Sequence, residues 1–453
     1  MGSETTSAIA WKEVTLGEFT TLQRGHDLPK QDRRDGTVPI LGSFGITGWH
    51  DTSKTKGPGV TVGRSGASFG VVSYSECDFW PLNTALFVKD FHGNDERFAY
   101  YFLKAMDFRR YNSGSAVQSL NRNHVHPIAI RIPPLPEQKA IAHILGTLDD
   151  KIELNRRMNV TLESMARALF KSWFVDFDPV IDNALAAGNP IPEPMSARAQ
   201  SRRNLGTDRK SLPENTLFPD SFVHSEEMGW IPKGWKISTV ADVTHRVTKG
   251  DTPRKAAMAA ASEDEPRVNM LRVNAITEHG EFLREKFLDI PESIHLGKSK
   301  RSILKPNYIL YTNAGTIGRV AFVHDDILPA NTNQAIAIIQ PDETKIPPAF
   351  LFMVVRQPEF QSELHFDIVE AVQANLALGK IGEARFLMPS NSVLNGFMEQ
   401  LSDSLDRIWA NRRGSLTLSR LRDTLLPKLL SGELRIPDAE KLVTGSLYRW
   451  TNF

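Results

Sequence analysis

Between residues 11 and 135 short apolar runs alternate with turn residues. Val60-Thr61-Val62 leads into Gly63-Arg64-Ser65-Gly66, residues 69–74 follow, and Ala85-Leu86-Phe87-Val88 comes next. Strand-length runs punctuated by glycine predict a β-rich module. Within it residues 98–106 read as an amphipathic helix. Ile128-Ala129-Ile130-Arg131-Ile132 reads as a closing strand, stopped by Pro133-Pro134.

The texture changes at Pro136, which suits the first turn of a helix, with Glu137 at the positive end of its dipole. From there to Phe174 the only glycine is Gly146. Ile141, Leu145, Leu148, Ile152, Asn155, Asn159, Leu162, Ala166, Leu169 and Trp173 follow one another at alternating steps of four and three. That is a heptad seam, the pattern of a coiled coil, and the asparagines are polar positions that fix register. A helix of about 38 residues spans about 57 Å. Residues 178–230, with Pro190, Pro192 and Pro194, read as an extended, partly ordered linker.

A second β-rich module follows. Tyr308-Ile309-Leu310-Tyr311 leads to Asn313-Ala314-Gly315-Thr316-Ile317-Gly318, then Val320-Ala321-Phe322-Val323 and Ala335-Ile336-Ala337-Ile338-Ile339. Its alanine-rich stretch 256–261 has no counterpart in the first module and reads as a mobile loop. A second long helix is expected over 391–430. Its stripe is Leu394, Phe397, Leu401, Leu405, Ile408, Arg412, Leu416, Leu418, Leu421, Leu425 and Leu429, with Pro427 near its end and Gly432 as its stop.

The two halves repeat each other. Asn155-Arg156-Arg157 returns as Asn411-Arg412-Arg413, 256 residues later, and Leu145, Asp150, Ile152 and Leu169 meet Leu401, Asp406, Ile408 and Leu425 at that offset. Trp11-Lys12 and Thr20 return as Trp235-Lys236 and Thr244. Pro81-Leu82-Asn83-Thr84 aligns with Pro329-Ala330-Asn331-Thr332, and Ala116-Val117-Gln118 with Ala371-Val372-Gln373. The expected layout is an N-terminal tail (1–10), a first module (11–135), a central helical region (136–177), a linker (178–230), a second module (231–390), a C-terminal helical region (391–435) and a tail (436–453). The fold class is α+β: two β-rich α/β domains separated by two long helices that can pair as a coiled coil in either orientation, an antiparallel pair giving the internal repeat a pseudo-twofold axis. Two readers on one frame suit a ligand with two separated half-sites. A 57 Å spacer corresponds to on the order of 15 base pairs of DNA.

Composition narrows this little. A formal net charge of +1 neither demands nor excludes a nucleic-acid partner, since a basic patch is a local property. Cys77 is the only cysteine, which excludes an internal disulfide and cysteine-rich zinc sites. With no recognisable signal peptide, the expected compartment is the cytoplasm. No apolar run approaches the roughly 20 residues of a membrane span. Met1-Gly2-Ser3 resembles a cloning remnant and is left out of the reasoning.

Catalytic signatures are missing. Asn189-Pro190-Ile191-Pro192 lacks the aromatic that an adenine methyltransferase sets after Asn-Pro-Pro. Gly379-Lys380 lacks the first glycine and the Ser/Thr of a phosphate-binding loop. His124 and His126, on an expected strand, read as exposed polar residues rather than a metal pair. No catalytic residue, metal site or bound cofactor is expected. Candidates for DNA contact are Arg24, Lys30, Arg33, Arg34, Arg64, Arg122 and His124 in the first module. In the second they are Lys249, Arg254, Lys255, Arg272, Asn274, Lys298, Lys300, Arg301 and Arg319. Phosphates take Lys and Arg, and base edges take Arg, Lys, Asn or Gln. Arg156, Arg157, Arg412 and Arg413 are mid-helix cations that suit a DNA backbone, a partner's acidic groups or plain solvation.

The chain resembles the specificity subunit of type I restriction–modification enzymes. The resemblance is carried by Pro133-Pro134-Leu135-Pro136-Glu137-Gln138, by Leu169-Phe170-Lys171-Ser172-Trp173-Phe174-Val175-Asp176-Phe177, by Gly229-Trp230-Ile231-Pro232-Lys233-Gly234-Trp235, and by residues 421–432. One departure is Met388-Pro389-Ser390-Asn391-Ser392, which stands where the proline-rich signature is expected before the second helix. The resemblance implies a non-catalytic subunit whose two target-recognition domains each read half of a bipartite double-stranded DNA sequence. The helices would form an antiparallel coiled coil, set the spacing and dock the methylation subunits, two by expectation, which bring S-adenosylmethionine. Motor-nuclease subunits would join in the full complex. A scaffold displaying two protein-binding domains on a coiled coil is the alternative.

Overall fold

The computed structural model describes residues 11–114, 118–204, 216–262, 264–365 and 375–451. The chain divides into two units, Met1–Met158 with Ala410–Phe453, and Asn159–Trp409. In the first unit the chain forms β1 (Lys12–Thr15), α1 (Leu16–Phe19), β2 (Thr21–Arg24), β3 (Val38–Gly42), β4 (Gly45–His50), β5 (Gly59–Gly63), β6 (Val72–Ser75), β7 (Trp80–Pro81), β8 (Ala85–Asp90), α2 (Glu96–Ala105), α3 (Arg122–Val125) and β9 (Ala129–Ile132). The long helix α4 (Leu135–Phe174) begins there and runs into the second unit. That unit adds α5 (Asp178–Ala187), α6 (Ser196–Asn204), β10 (Phe222–Ser225), β11 (Gly229–Pro232), β12 (Lys236–Thr239), β13 (Thr244–Lys249), α7 (Lys255–Ala259), β14 (Arg267–Leu271), β15 (Leu288–Pro291), α8 (Glu292–Leu296), β16 (Ile309–Thr312), β17 (Val320–Phe322), β18 (Ala330–Thr332), β19 (Ile336–Pro341), α9 (Pro348–Val355), α10 (Pro358–His365), α11 (Leu378–Glu383) and β20 (Arg385–Met388). Helix α12 (Asn391–Leu430) returns to the first unit, where α13 (Ile436–Thr451) ends the described chain.

Both units repeat one set of sheets. A four-stranded antiparallel sheet has the order β2-β8-β5-β6 in the first and β13-β19-β16-β17 in the second. A three-stranded sheet has the order β4-β3-β7 and β15-β14-β18, and in each the strand pair that is distant in sequence is parallel. A two-stranded ladder, β1-β9 and β12-β20, pins the start of each module to its end. The turn after the first strand repeats as well. The Thr15 hydroxyl accepts from Glu18 N while the Glu18 carboxylate accepts from Thr15 N, and Thr239 with Asp242 does the same. This reciprocal cap satisfies amide groups that a short helical turn leaves free.

Each unit has its own core. In the first, Leu22, Val60, Val62, Leu86 and Val88 face Phe98, Tyr101 and Leu103 of α2, and Ile141, Leu145 and Leu148 of α4 pack beside Leu418, Leu425 and Leu429 of α12. In the second, Phe170, Trp173 and Phe174 of α4 close on Phe350 and on Phe397 of α12, and all of these are buried.

The helices pair antiparallel within each unit. In the first, Asp149 Oδ1 accepts from Arg422 Nη1 at 2.5 Å, and Asn155 Nδ2 donates to Ser415 Oγ at 3.2 Å and Asn411 O at 3.4 Å. In the second, Asn159 Nδ2 donates to Ile408 O at 3.4 Å, and the Phe174 and Phe397 rings lie 4.8 Å apart. Asn155 and Asn411, the two copies of one repeated position, therefore meet each other and are both buried. The expected seam positions Ile141, Leu145, Leu148, Asn155, Leu401, Ile408, Leu418 and Leu425 are buried, while Ile152, Asn159, Leu162, Leu169, Leu405 and Leu421 are half-buried. A strict heptad misses Ile144, Phe170 and Phe174, which are also buried, because these helices face a module core as well as each other.

Several expectations are corrected. The linker 178–230 is not extended, for α5, α6 and the β10–β11 hairpin lie within it. Asp178, 2% exposed, accepts from Ser172 Oγ at 2.7 Å on α4 and from Arg198 Nε and Nη2 at 2.7 Å on α6, while Arg202 pairs with Asp182. Burial alone raises a carboxyl pKa, yet these donors hold Asp178 below the usual range. The prolines stand in the turn between the helices. The tail 436–453 contains α13, whose Ala439 and Val443 complete the first unit's core. The alanine-rich stretch is helix α7, and Ala257 and Met258 pack on Val268, Met270, Ile290 and Ile294. His124 and His126 lie on and beside the helical turn α3, not on a strand. Residues 115–117 and 371–374, including Ala116, Val117, Ala371, Val372 and Gln373 of the aligned pair, lie outside the described residues.

Candidate nucleic-acid interface

One end of each four-stranded sheet gathers the loops. In the first unit β2 ends at Arg24, β5 at Gly63, and β6 and β8 begin beside them. Gly25 N donates to Ala85 O, Arg64 N to Thr84 O and Leu120 N to Arg64 O. In the second unit Gly250 N donates to Ile336 O, Asn313 N to Ala335 O and Leu376 N to Asn313 O. The hydrogen bonds repeat one for one, so position can be matched to position without regard to side-chain identity. Arg24 answers to Lys249, Gly25 to Gly250, His26 to Asp251, Asp27 to Thr252, Arg64 to Asn313, Asn83 to Gln334, Thr84 to Ala335 and Ser119 to Asn375.

This frame overturns the alignment of Pro81-Leu82-Asn83-Thr84 with Pro329-Ala330-Asn331-Thr332. Leu82 N donates to Leu41 O and accepts Ala85 N at its own carbonyl; Asn333 does the same with Leu271 and Ile336. Asn331 consequently stands where Trp80 does. It is fully buried and holds Ser299 O and Ser302 Oγ, at 2.9 and 3.0 Å. A shared four-residue string slid three places along the frame.

The glycine turns have a conformational cause. Gly66 and Gly315 have φ of +73° and +76°, the left-handed region where a side chain is strained. A Cβ on Gly25 or Gly250 would lie 2.2 or 2.1 Å from a carbonyl oxygen, of Leu82 or Thr332 respectively, so glycine is required where these strands pass.

The nominated cations divide accordingly. Arg24 and Lys249 are exposed at equivalent strand ends, and neither has a partner among the described residues. Arg64 is half-buried and its Nη1 donates to Asn83 O at 3.3 Å, so its guanidinium sits beside that loop. Arg272 and Asn274 are exposed in the turn that follows β14. Arg301 reaches Asp251 at 3.4 Å, as does Ser299 Oγ, which brings Lys298 and Lys300 to the same end. Arg254 and Lys255 are exposed at the start of α7. Arg319 is structural, for its Nη1 donates to Ile276 O at 2.6 Å and ties two loops together. Lys30 is exposed in the short helical turn before Arg33, and Arg33 and Arg34 lie along β4. Arg33 Nη1 donates to Thr47 O at 3.1 Å and Arg34 pairs with Asp51 at 3.0 Å. Arg122 and His124 are exposed on α3, which begins two residues after Leu120 of the loop-end frame. Beside them His126 Nε2 accepts from Leu22 N at 3.0 Å, and burial, then Arg122, lowers its pKa. Mid-helix, Arg156 and Arg157 both pair with Glu153 at 2.7 and 2.8 Å, and the Arg156 hydrogen bond leads in pulling the Glu153 pKa down to about 2.

Residue-type reasoning missed several groups at this end. Asp27, Asn83, Thr252 and Gln334 are uncharged or acidic and were not nominated. Phe44, at the tip of the β3–β4 hairpin, is 74% exposed, and Ser43 Oγ beside it accepts from Ser68 Oγ of the glycine turn at 2.7 Å. Their loop position became legible only once the strands were paired. Among the described residues no group of His, Cys, Asp and Glu has the disposition of a metal site, and no helix is long and apolar enough to cross a membrane.

Paired sheets with loops gathered at one end are thus repeated in the two units. Residues 9–164 match the family model of the type I restriction modification DNA specificity domain. The specificity subunit of the type I restriction enzyme HindI of Haemophilus influenzae is 28% identical over 333 residues, 68% of this chain and 70% of that one. The MjaIX specificity subunit of Methanocaldococcus jannaschii is 22% identical over 347 residues, 75% and 69% of the two chains. A crystal structure of the S subunit of a type I restriction-modification system from M. genitalium shares the fold, with a TM-score of 0.51 and 15% identity over 94% of this chain and 97% of that one. The chain is thus similar to type I restriction enzyme specificity subunits, and the match to the DNA specificity domain spans its first β-rich module and most of α4.

Proposed function

We propose that this chain is the DNA-sequence specificity subunit of a type I restriction–modification complex. Each β-rich module reads one half of a bipartite double-stranded target, and the paired long helices set the spacing and dock the methylation subunits. The observation that carries this reading is the loop-end frame, which holds the same backbone hydrogen bonds in both units and different side chains at matched positions. A shared frame with Arg64 and Asn83 in one copy and a buried Asn313 and an exposed Gln334 in the other suits two half-sites of different sequence, because base identity is read by side-chain donors and acceptors.

In this reading the chain is not itself an enzyme and holds no cofactor. Two methylation subunits bring S-adenosylmethionine, motor-nuclease subunits complete the cutting complex, and the assembly works in the cytoplasm. The test is adenine-methylation mapping of a genome with and without the chain, in the presence of its methylation subunits. The expected result is one split sequence methylated throughout. Methylation spread evenly over unrelated sequences would overturn the reading and favour a protein-binding scaffold.

A further inference from the structure

The matched loop ends contain a pair of side-chain amides held in different ways. In the first unit Asn83 Nδ2 donates to the Asp27 carboxylate, and in the second the Thr252 hydroxyl donates to Gln334 Oε1. Asn83 and Gln334 occupy the same place on the frame, as do Asp27 and Thr252, each two residues past the obligatory glycine. An ionised carboxylate only accepts, so Asp27 must hold the NH2 group of Asn83 and leave its Oδ1 outward. The Thr252 hydroxyl both donates and accepts, so it holds Gln334 by either end and leaves its sense open. Neither Asn83 Oδ1 nor Gln334 Nε2 has a partner among the described residues, and neither is a buried atom lacking one.

An amide is ambiguous in hydrogen bonding until something fixes which end faces out. Fixed, it distinguishes bases, because the major-groove edges of the four pairs differ in their order of donors and acceptors. Resting on the specificity-subunit reading above, we propose that Asn83 and Gln334 are base-reading residues of the two half-sites, the sense of Asn83 fixed by Asp27 and that of Gln334 left free by Thr252. Asn83 accepts from an exocyclic amine, the N6 of adenine or the N4 of cytosine. Gln334, free to turn, donates to a ring nitrogen or carbonyl or accepts from an amine. Arg64, whose guanidinium sits beside Asn83 O, holds the adjacent position in the first unit. Asn313, the matching residue, is buried and turned to Asn375 and Leu376 in the second.

The experiment uses the full chain with its methylation subunits and reads methylated-adenine maps together with binding to duplexes varied one base pair at a time. Asn83→Ala is expected to relax one position of one half-site by about tenfold to a hundredfold and leave the other half-site intact, and Gln334→Ala the reverse. The untouched half-site in each complex reports that the variant is folded. Asp27→Ala keeps Asn83 but frees it to turn, so the same position should come to accept amine-bearing and carbonyl-bearing bases alike. Unchanged maps for these variants, or affinity falling evenly at both half-sites, would overturn the inference while a normal wild-type map left the function standing. A wild-type complex with no two-part preference would sink both.

Discussion

Phe397 is the most exacting test of how the helices are held. It is fully buried on α12, with ring centroids 4.8 Å from Phe174, 5.6 Å from Trp173, 5.9 Å from Phe170 and 6.0 Å from Phe350. Truncating a buried phenylalanine to alanine costs about 3–5 kcal/mol from lost burial and the residual cavity. Its contacts are with large rings, which cannot readily collapse into the space, and favourable ring pairs add about 0.5–1.5 kcal/mol each. Phe397→Ala should therefore fall at the upper end, about 4–5 kcal/mol, lowering the melting temperature of a unit of this size by on the order of 10 °C. Phe397→Leu keeps most of the volume and should cost about 1–2 kcal/mol. Because the second core contains none of the first core's residues, the damage should be local. Hydrogen exchange would show protection lost across 159–409 and kept in β5, β8 and α2. A loss below about 1 kcal/mol, or equal deprotection of both units, would refute this account of the core.

Other consequences follow from single sites. Asp178→Asn removes a buried charge from two arginines; Arg198 is half-exposed and can be resolvated, so the expected loss is about 2 kcal/mol by urea denaturation rather than the larger cost of a fully enclosed pair. With its folded pKa depressed, Asp178 contributes fully above the ordinary carboxyl range and loses that contribution as pH falls through the lowered value, so wild type and Asp178→Asn should converge in stability toward acid, as pH-dependent denaturation would record. Arg24→Ala and Lys249→Ala should each weaken DNA binding of the assembled complex and flatten its logarithmic salt dependence by about one unit, without changing the methylated sequence, if these exposed strand ends meet phosphates. Arg319→Ala should cost stability and not alter that slope, because its guanidinium is spent on Ile276 O.

Much of the fold is local enough to be written in order along the chain. Helix α12 runs over the expected 391–430, since a helical stripe is set by residues three and four apart. The repeat, the glycine turns and the polar seam centre are legible for the same reason. The linker misled because its cohesion is nonlocal. Asp178 is an unremarkable acid beside a proline until Arg198 and Arg202, twenty and more residues on, close over it.

The candidate site divides in the same way. Sequence supplies the inventory of cations, and Arg24 and Lys249 stand exposed at matched strand ends. It cannot tell those from Arg319, which a backbone carbonyl holds, or from Arg156 and Arg157, which Glu153 holds. It also misaligned Asn83 with Asn331, because identity of letters outweighs register when only letters are available. By itself the sequence determined the two modules, the long helices and their shared origin, all properties of spacing along one chain. Tertiary structure alone decided which residues share a loop end, which copy matches which, and which way an amide faces. Those depend on strand pairing and on partners distant in sequence.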